Sequence, residues 1–68
     1  MQDWQLRVID EKAALDLKLV RLKDARRKGR LDSLSGLDAE LLQMQQIAME
    51  AYSLALRMRI DRFGLKDA

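Results

Sequence analysis

The chain has 68 residues, with no Cys, His or Pro, 13 basic and 11 acidic side chains, and a formal net charge of +2. That length holds one small domain, 1–68, and leaves it without disulfides or the best transition-metal ligands. Near-balanced charge gives no general attraction to nucleic acid, and no apolar run approaches the roughly 18–20 residues that cross a bilayer. The N-terminus lacks a signal-peptide pattern, so a cytoplasmic location and no membrane partner are expected.

In chain order, Asp3 can cap a helix that begins at Trp4, its side-chain oxygen accepting from the first free amides. The helical pattern continues to Arg26-Arg27-Lys28. Gly29 follows where a residue of positive φ would end the helix, and the basic cluster complements the negative helix end. RLDSL is the connection. Ser35, with Asp38 three residues on, resembles a capping box and opens a second helix from about Gly36 to Arg62, stopped by Phe63-Gly64. The expected fold is therefore all-α: two helices over about 4–28 and 36–62, each about 40 Å long at 1.5 Å per residue, paired as an antiparallel hairpin.

Each helix carries two apolar stripes. At roughly 100° per residue, Trp4, Val8, Leu15, Leu19 and Leu22 fall on one side of the first helix, and Leu6, Ile9, Ala13, Leu17 and Val20 almost opposite. Arg7, Glu11, Lys18 and Arg21 form one charged flank between them; Gln5, Lys12, Asp16 and Lys23 form the other. In the second helix Leu37, Leu41, Met44, Ala48, Ala51, Ala55 and Met58 make one stripe, widened by Ile47 and Leu54. Leu42, Met49, Leu56, Ile60 and Phe63 make another. A hairpin buries one stripe per helix, and apolar area left in water drives association at about 25 cal/mol per Å². A homo-oligomeric bundle, dimer or tetramer, is expected, with Leu15, Leu19, Leu22, Ala48, Ala51 and Ala55 at its interface.

Catalytic chemistry is thin. Without Cys or His the common nucleophiles and bases are missing, and adjacent carboxylates such as Asp10-Glu11 diverge on a helix instead of forming a dyad. No phosphate loop or dinucleotide fingerprint occurs. No enzyme activity, cofactor or metal is expected. RRKGR at 26–30 could touch phosphates, but it lacks interleaved aromatics and also reads as a solvated helix end. Trp4 and Phe63 should meet at the open end of the hairpin and close its core.

One polar group has two readings. Arg7, Glu11 and Lys12 from the first helix and Tyr52, Arg57 and Arg59 from the second gather toward the open end. They could form an interhelical network in which Glu11 bridges an arginine. They could also form a site between protomers, where Arg and Lys hold phosphates and Tyr52 or Trp4 stacks on a base.

The segments WQLRVIDEKAALDLKLVRL and LLQMQQIAMEAYSLALRMRIDRFG resemble a family of short phage and prophage two-helix proteins, one of them from crAss-like phages. Its pattern is matched by Gln5, Arg7, Val8, Glu11, Lys12, Leu15, Asp16, Lys18 and Leu22. The second half is matched by Leu41, Leu42, Gln45, Met49, Tyr52, Leu56, Arg59, Ile60 and Phe63. The spacer ARRKGRLDSLS departs from a more acidic, aromatic-containing link. The resemblance implies a phage origin, action in the host cytoplasm and an all-α hairpin, but transfers no activity.

By analogy with small oligomeric phage proteins, the leading expectation is a non-enzymatic sponge for a cyclic or ADP-ribose-derived nucleotide immune signal. Trp4, Arg7, Glu11, Lys12, Tyr52 and Arg59 would form the ligand site. The alternative is a protein–protein module that docks its spare apolar stripe on a host or phage protein.

Overall fold

The computed structural model describes residues 1–64 and consists of two helices, α1 (Asp3–Arg27) and α2 (Gly36–Asp61), packed against each other as a hairpin. Both match the expected spans to within a residue. The start of α1 differs in its cap. Gln2, not Asp3, is the N-cap residue, and its backbone N–H donates to Gln5 Oε1 at 2.8 Å. Asp3 is instead the first helical residue, where its negative charge faces the positive end of the helix.

At the other end Asp24 holds both Arg27 (2.6 Å) and Lys28 (2.9 Å), which ties the basic cluster to the last turn. Gly29 has φ of +75°, the left-handed conformation that ends a helix without a Cβ clash. Ser35 Oγ accepts from the Asp38 backbone N–H at 3.3 Å and caps α2 as its spacing foretold.

The hairpin is a rod of 49 × 17 × 15 Å. Such a shape has a single seam for a core. Val8, Leu15 and Leu19 from α1 meet Leu56 from α2, with Met49, Ile60 and Phe63 packed alongside. Trp4 closes the open end edge-on against Phe63, with ring centroids 5.2 Å apart and planes at 81°. The inward stripes are thus Trp4–Val8–Leu15–Leu19–Leu22 on α1 and Leu42–Met49–Leu56–Ile60–Phe63 on α2.

This assignment corrects part of the expected interface. Leu15 and Leu19 lie in the hairpin's own core, with less than a tenth of their surface left for a second chain, and Leu22 is half-buried beside them. Ala48, Ala51 and Ala55 remain exposed on α2. The outer stripes stay in water: Leu6, Leu17 and Val20 on α1, and Leu37, Leu41, Met44, Ile47, Leu54 and Met58 on α2. Val20 is 63% and Leu37 66% exposed, so these are open faces, not gaps in the core. No helix among the described residues is long and apolar enough to cross a membrane.

Leu56, at 1% exposure, is the best-packed side chain. Leu56→Ala is expected to cost about 2–5 kcal/mol in urea unfolding, a large share of what so small a core supplies. Lys18→Ala, on an exposed flank, should stay within about 0.5 kcal/mol of the parent.

Candidate functional site

The antiparallel register decides which polar residues can meet. Trp4 stands against Phe63 and Lys12 against Ser53, which puts Arg7 level with Arg59, and Glu11 about midway between Tyr52 and Arg59 along α2. Arg7 and Glu11 are four residues apart and share one flank of α1. Tyr52 and Arg59, seven apart, share one flank of α2. Ser53 marks the other flank of α2, about 100° from Tyr52. The structure therefore brings Arg7, Glu11, Tyr52 and Arg59 to one long edge of the hairpin, near its open end.

Lys12 does not join them. It lies about 140° around α1 from Arg7, on the opposite edge. There its ammonium donates to Asp16 Oδ2 at 2.5 Å and to Ser53 Oγ at 3.3 Å, while Ser53 Oγ donates to Asp16 Oδ1 at 2.5 Å. This triad is a polar bridge between helices, whereas the network considered for Glu11 and an arginine is not formed among the described residues. The same edge continues with Lys23 3.8 Å from Glu50, Gln46 donating to Glu50 at 2.9 Å, and Arg26 donating to Gln46 at 3.0 Å. One edge of the hairpin is laced shut.

The other edge is not. Among the described residues, the side chains of Arg7, Glu11, Tyr52 and Arg59 make no hydrogen bond or ion pair. Tyr52 is 45% exposed. Arg57 pairs at 4.0 Å with Asp61, one turn on, and does not reach this group. Trp4 spends one ring edge on Phe63 yet keeps 51% of its surface open at the end of the same rod. The arrangement offers two unpaired guanidiniums, a phenol and a carboxylate on a solvent-facing strip. Guanidiniums grip phosphate oxygens in pairs, and an exposed ring is a platform for a base.

A concavity lies toward the turn, away from this strip. An open hollow of about 390 Å³ is lined by Val20, Arg21, Lys23, Asp24 and Arg27. It shares no residue with the Arg7–Arg59 edge, and Asp24 already neutralises the base beside it.

A family model described as Sequestin matches residues 2–62, and the chain belongs to the Sequestin family. The match spans both helices and every candidate residue named above. No curated protein matches the chain, and neither does any solved structure.

The bridging triad has a pH signature. The Lys12 hydrogen bond, with help from Ser53, holds the Asp16 carboxyl below its ordinary 3.8, and Lys28 and Arg27 do the same for Asp24. A carboxylate whose pKa is lowered by folding stabilises the fold fully above its unfolded value, and that stabilisation fades as pH falls through the lower folded value. The thermal midpoint should therefore drop as pH falls below about 4, and Asp16→Asn should start lower but fall less steeply. A parallel decline of the two proteins would show that the triad contributes nothing.

Proposed function

We propose that this chain is a non-enzymatic, homo-oligomeric phage protein that binds and sequesters a nucleotide-derived immune signal. The observation that carries the reading is the unlaced edge. Arg7 and Arg59 face solvent level with each other, without carboxylate partners among the described residues, on one edge with an exposed Tyr52 and near an open Trp4. Lys12, Asp24 and Arg26 are satisfied within the hairpin on the other edge and at the turn, which leaves this edge as the one where two arginines, a phenol and a carboxylate gather in solvent. The family's name, Sequestin, fits a protein that withholds a ligand without converting it.

In this reading Arg7 and Arg59 hold phosphate oxygens, Tyr52 or Trp4 stacks on a base, and Glu11 orients an arginine or accepts from a base edge. Lys12 serves the fold through Asp16 and Ser53 and lies outside the site. The strip is shallow on one hairpin, so a ligand the size of a cyclic dinucleotide or an ADP-ribose derivative needs a second wall from another copy. Self-association supplies that wall and covers the apolar faces at once. The site then lies in host-cell cytoplasm, where such signals are made.

A protein–protein module is the competing reading, and the open apolar faces of both helices support it. The two readings separate in one experiment. Native mass spectrometry with a panel of cyclic di- and trinucleotides and ADP-ribose derivatives is expected to show an oligomer carrying nucleotide mass. Arg7→Ala and Arg59→Ala should keep the oligomer and weaken binding by roughly tenfold or more each, the worth of a charge-assisted hydrogen bond. An oligomer that ignores the whole panel, or variants that bind as the parent does, would overturn the assignment and favour a protein partner.

A further inference from the structure

Of the two open faces, that of α2 is the more completely apolar. α2 carries six charged residues in 26 positions, where α1 carries twelve in 25. Along the centre of its outer face Met44, Ala48, Ala51, Ala55 and Met58 follow one another at spacings of three and four. All are exposed, and none is charged. The three alanines lower the middle of the face, so another helix can approach closely there.

The outer part of the line is symmetric about Ala51. Glu40 continues it at one end and Arg62 at the other, each eleven residues from Ala51; Met44 and Met58 lie seven residues on either side. Neither Glu40 nor Arg62 has an ion-pair partner among the described residues. Read backwards, the stripe complements itself: methionine meets methionine, the alanines mesh at the centre, and each glutamate meets an arginine. Read in parallel, Glu40 would face Glu40 and Arg62 would face Arg62 across the seam, which like charge opposes.

We infer that the occupant of this face is a second copy of the chain, its α2 antiparallel to the first, with a two-fold axis at about Ala51. Such an isologous contact uses the same patch on both copies and closes on itself. It rests on the reading that the chain self-associates and is independent of the ligand's identity. It also completes the candidate site. Tyr52 is the residue next to the axis, so the two copies' rings lie on the same side of the seam. Each Arg59 stands beside the partner's Leu41 end of α2. The unlaced edges of two hairpins then form one groove, symmetric about the axis, with two Tyr52 and two Arg59 along it. One ligand per two chains is the stoichiometry this groove sets.

The absence of native cysteine allows single nitroxide labels without background. Gln43→Cys and Asp61→Cys place them on one exposed flank of α2, beside the seam but outside it. Pulsed dipolar spectroscopy without nucleotide should give about 24 Å between labels at 43 and about 30 Å between labels at 61, from 1.5 Å per residue on either side of the axis. Mixing the two labelled chains should add a distance well below 20 Å, on the order of the spacing of neighbouring helices. Short distances at both single positions would mean parallel pairing and overturn the proposal, as would no dipolar signal, or like-label distances that put the axis elsewhere.

A charge exchange checks the same geometry in unlabelled protein. Glu40→Arg should weaken the dimer roughly tenfold, because the axis doubles the effect of one change, and adding Arg62→Glu should restore it. Loss without restoration would overturn the register. Nucleotide binding can fail while these distances hold, so the two readings fall separately.

Discussion

Two helices packed side by side have one seam, and each can commit only one face to it. This constraint governs the rest of the molecule, because both helices bear two apolar faces. The seam takes Val8, Leu15, Leu19 and Leu56, closed at one end by Trp4 on Phe63. What remains outside includes Leu6, Leu17 and Val20 on one helix, and Leu41, Met44 and Met58 on the other. With four buried side chains among the described residues the hairpin alone is a marginal fold, and the apolar area it leaves in water is a standing drive to associate. The hairpin's own stability rests on the seam residues, while the outer stripes are the apolar area that association would cover.

The polar residues divide along the same geometry. On one long edge Lys12, Asp16 and Ser53, then Lys23, Gln46, Glu50 and Arg26, tie the two helices together. On the other edge Arg7, Glu11, Tyr52 and Arg59 have no hydrogen-bond or ion-pair partner among the described residues. The laced edge already joins the two helices, so the second edge carries no cross-helix polar tie among the described residues. Unpaired arginines in water cost the fold little, since each keeps its hydration, and they gain most where a second surface and an anion meet them.

Much of this was legible in the sequence, and the failures have separate causes. Features set by local chemistry could be read directly: the Gly29 terminus, the Ser35 cap, the two helix spans, and the paired stripes at helical spacing. The meeting of Trp4 and Phe63 followed from antiparallel topology alone. Other features depend on how one helix is rotated against the other, and periodicity is silent about that. Both stripes of α1 are apolar enough to face inward, so nothing in the sequence assigned Leu15 and Leu19 to the core instead of an interface. Lys12 was grouped with Arg7 for lying at the same end, although helical spacing already set it on the opposite flank, about 140° around α1, where Ser53 is its partner across the seam. The cap at Gln2 was missed for a different reason: Asp is the commoner cap, and Gln2 acts through its backbone N–H to Gln5.

The central claim is that the hairpin does not stand alone, and sedimentation equilibrium on the unmodified chain at micromolar concentration tests it most directly. The account predicts a mass that is an even multiple of 7.9 kDa and that persists in high salt, because burial of apolar faces drives the association. A folded species of 7.9 kDa across that range would contradict it, showing that the outer stripes are tolerated in water.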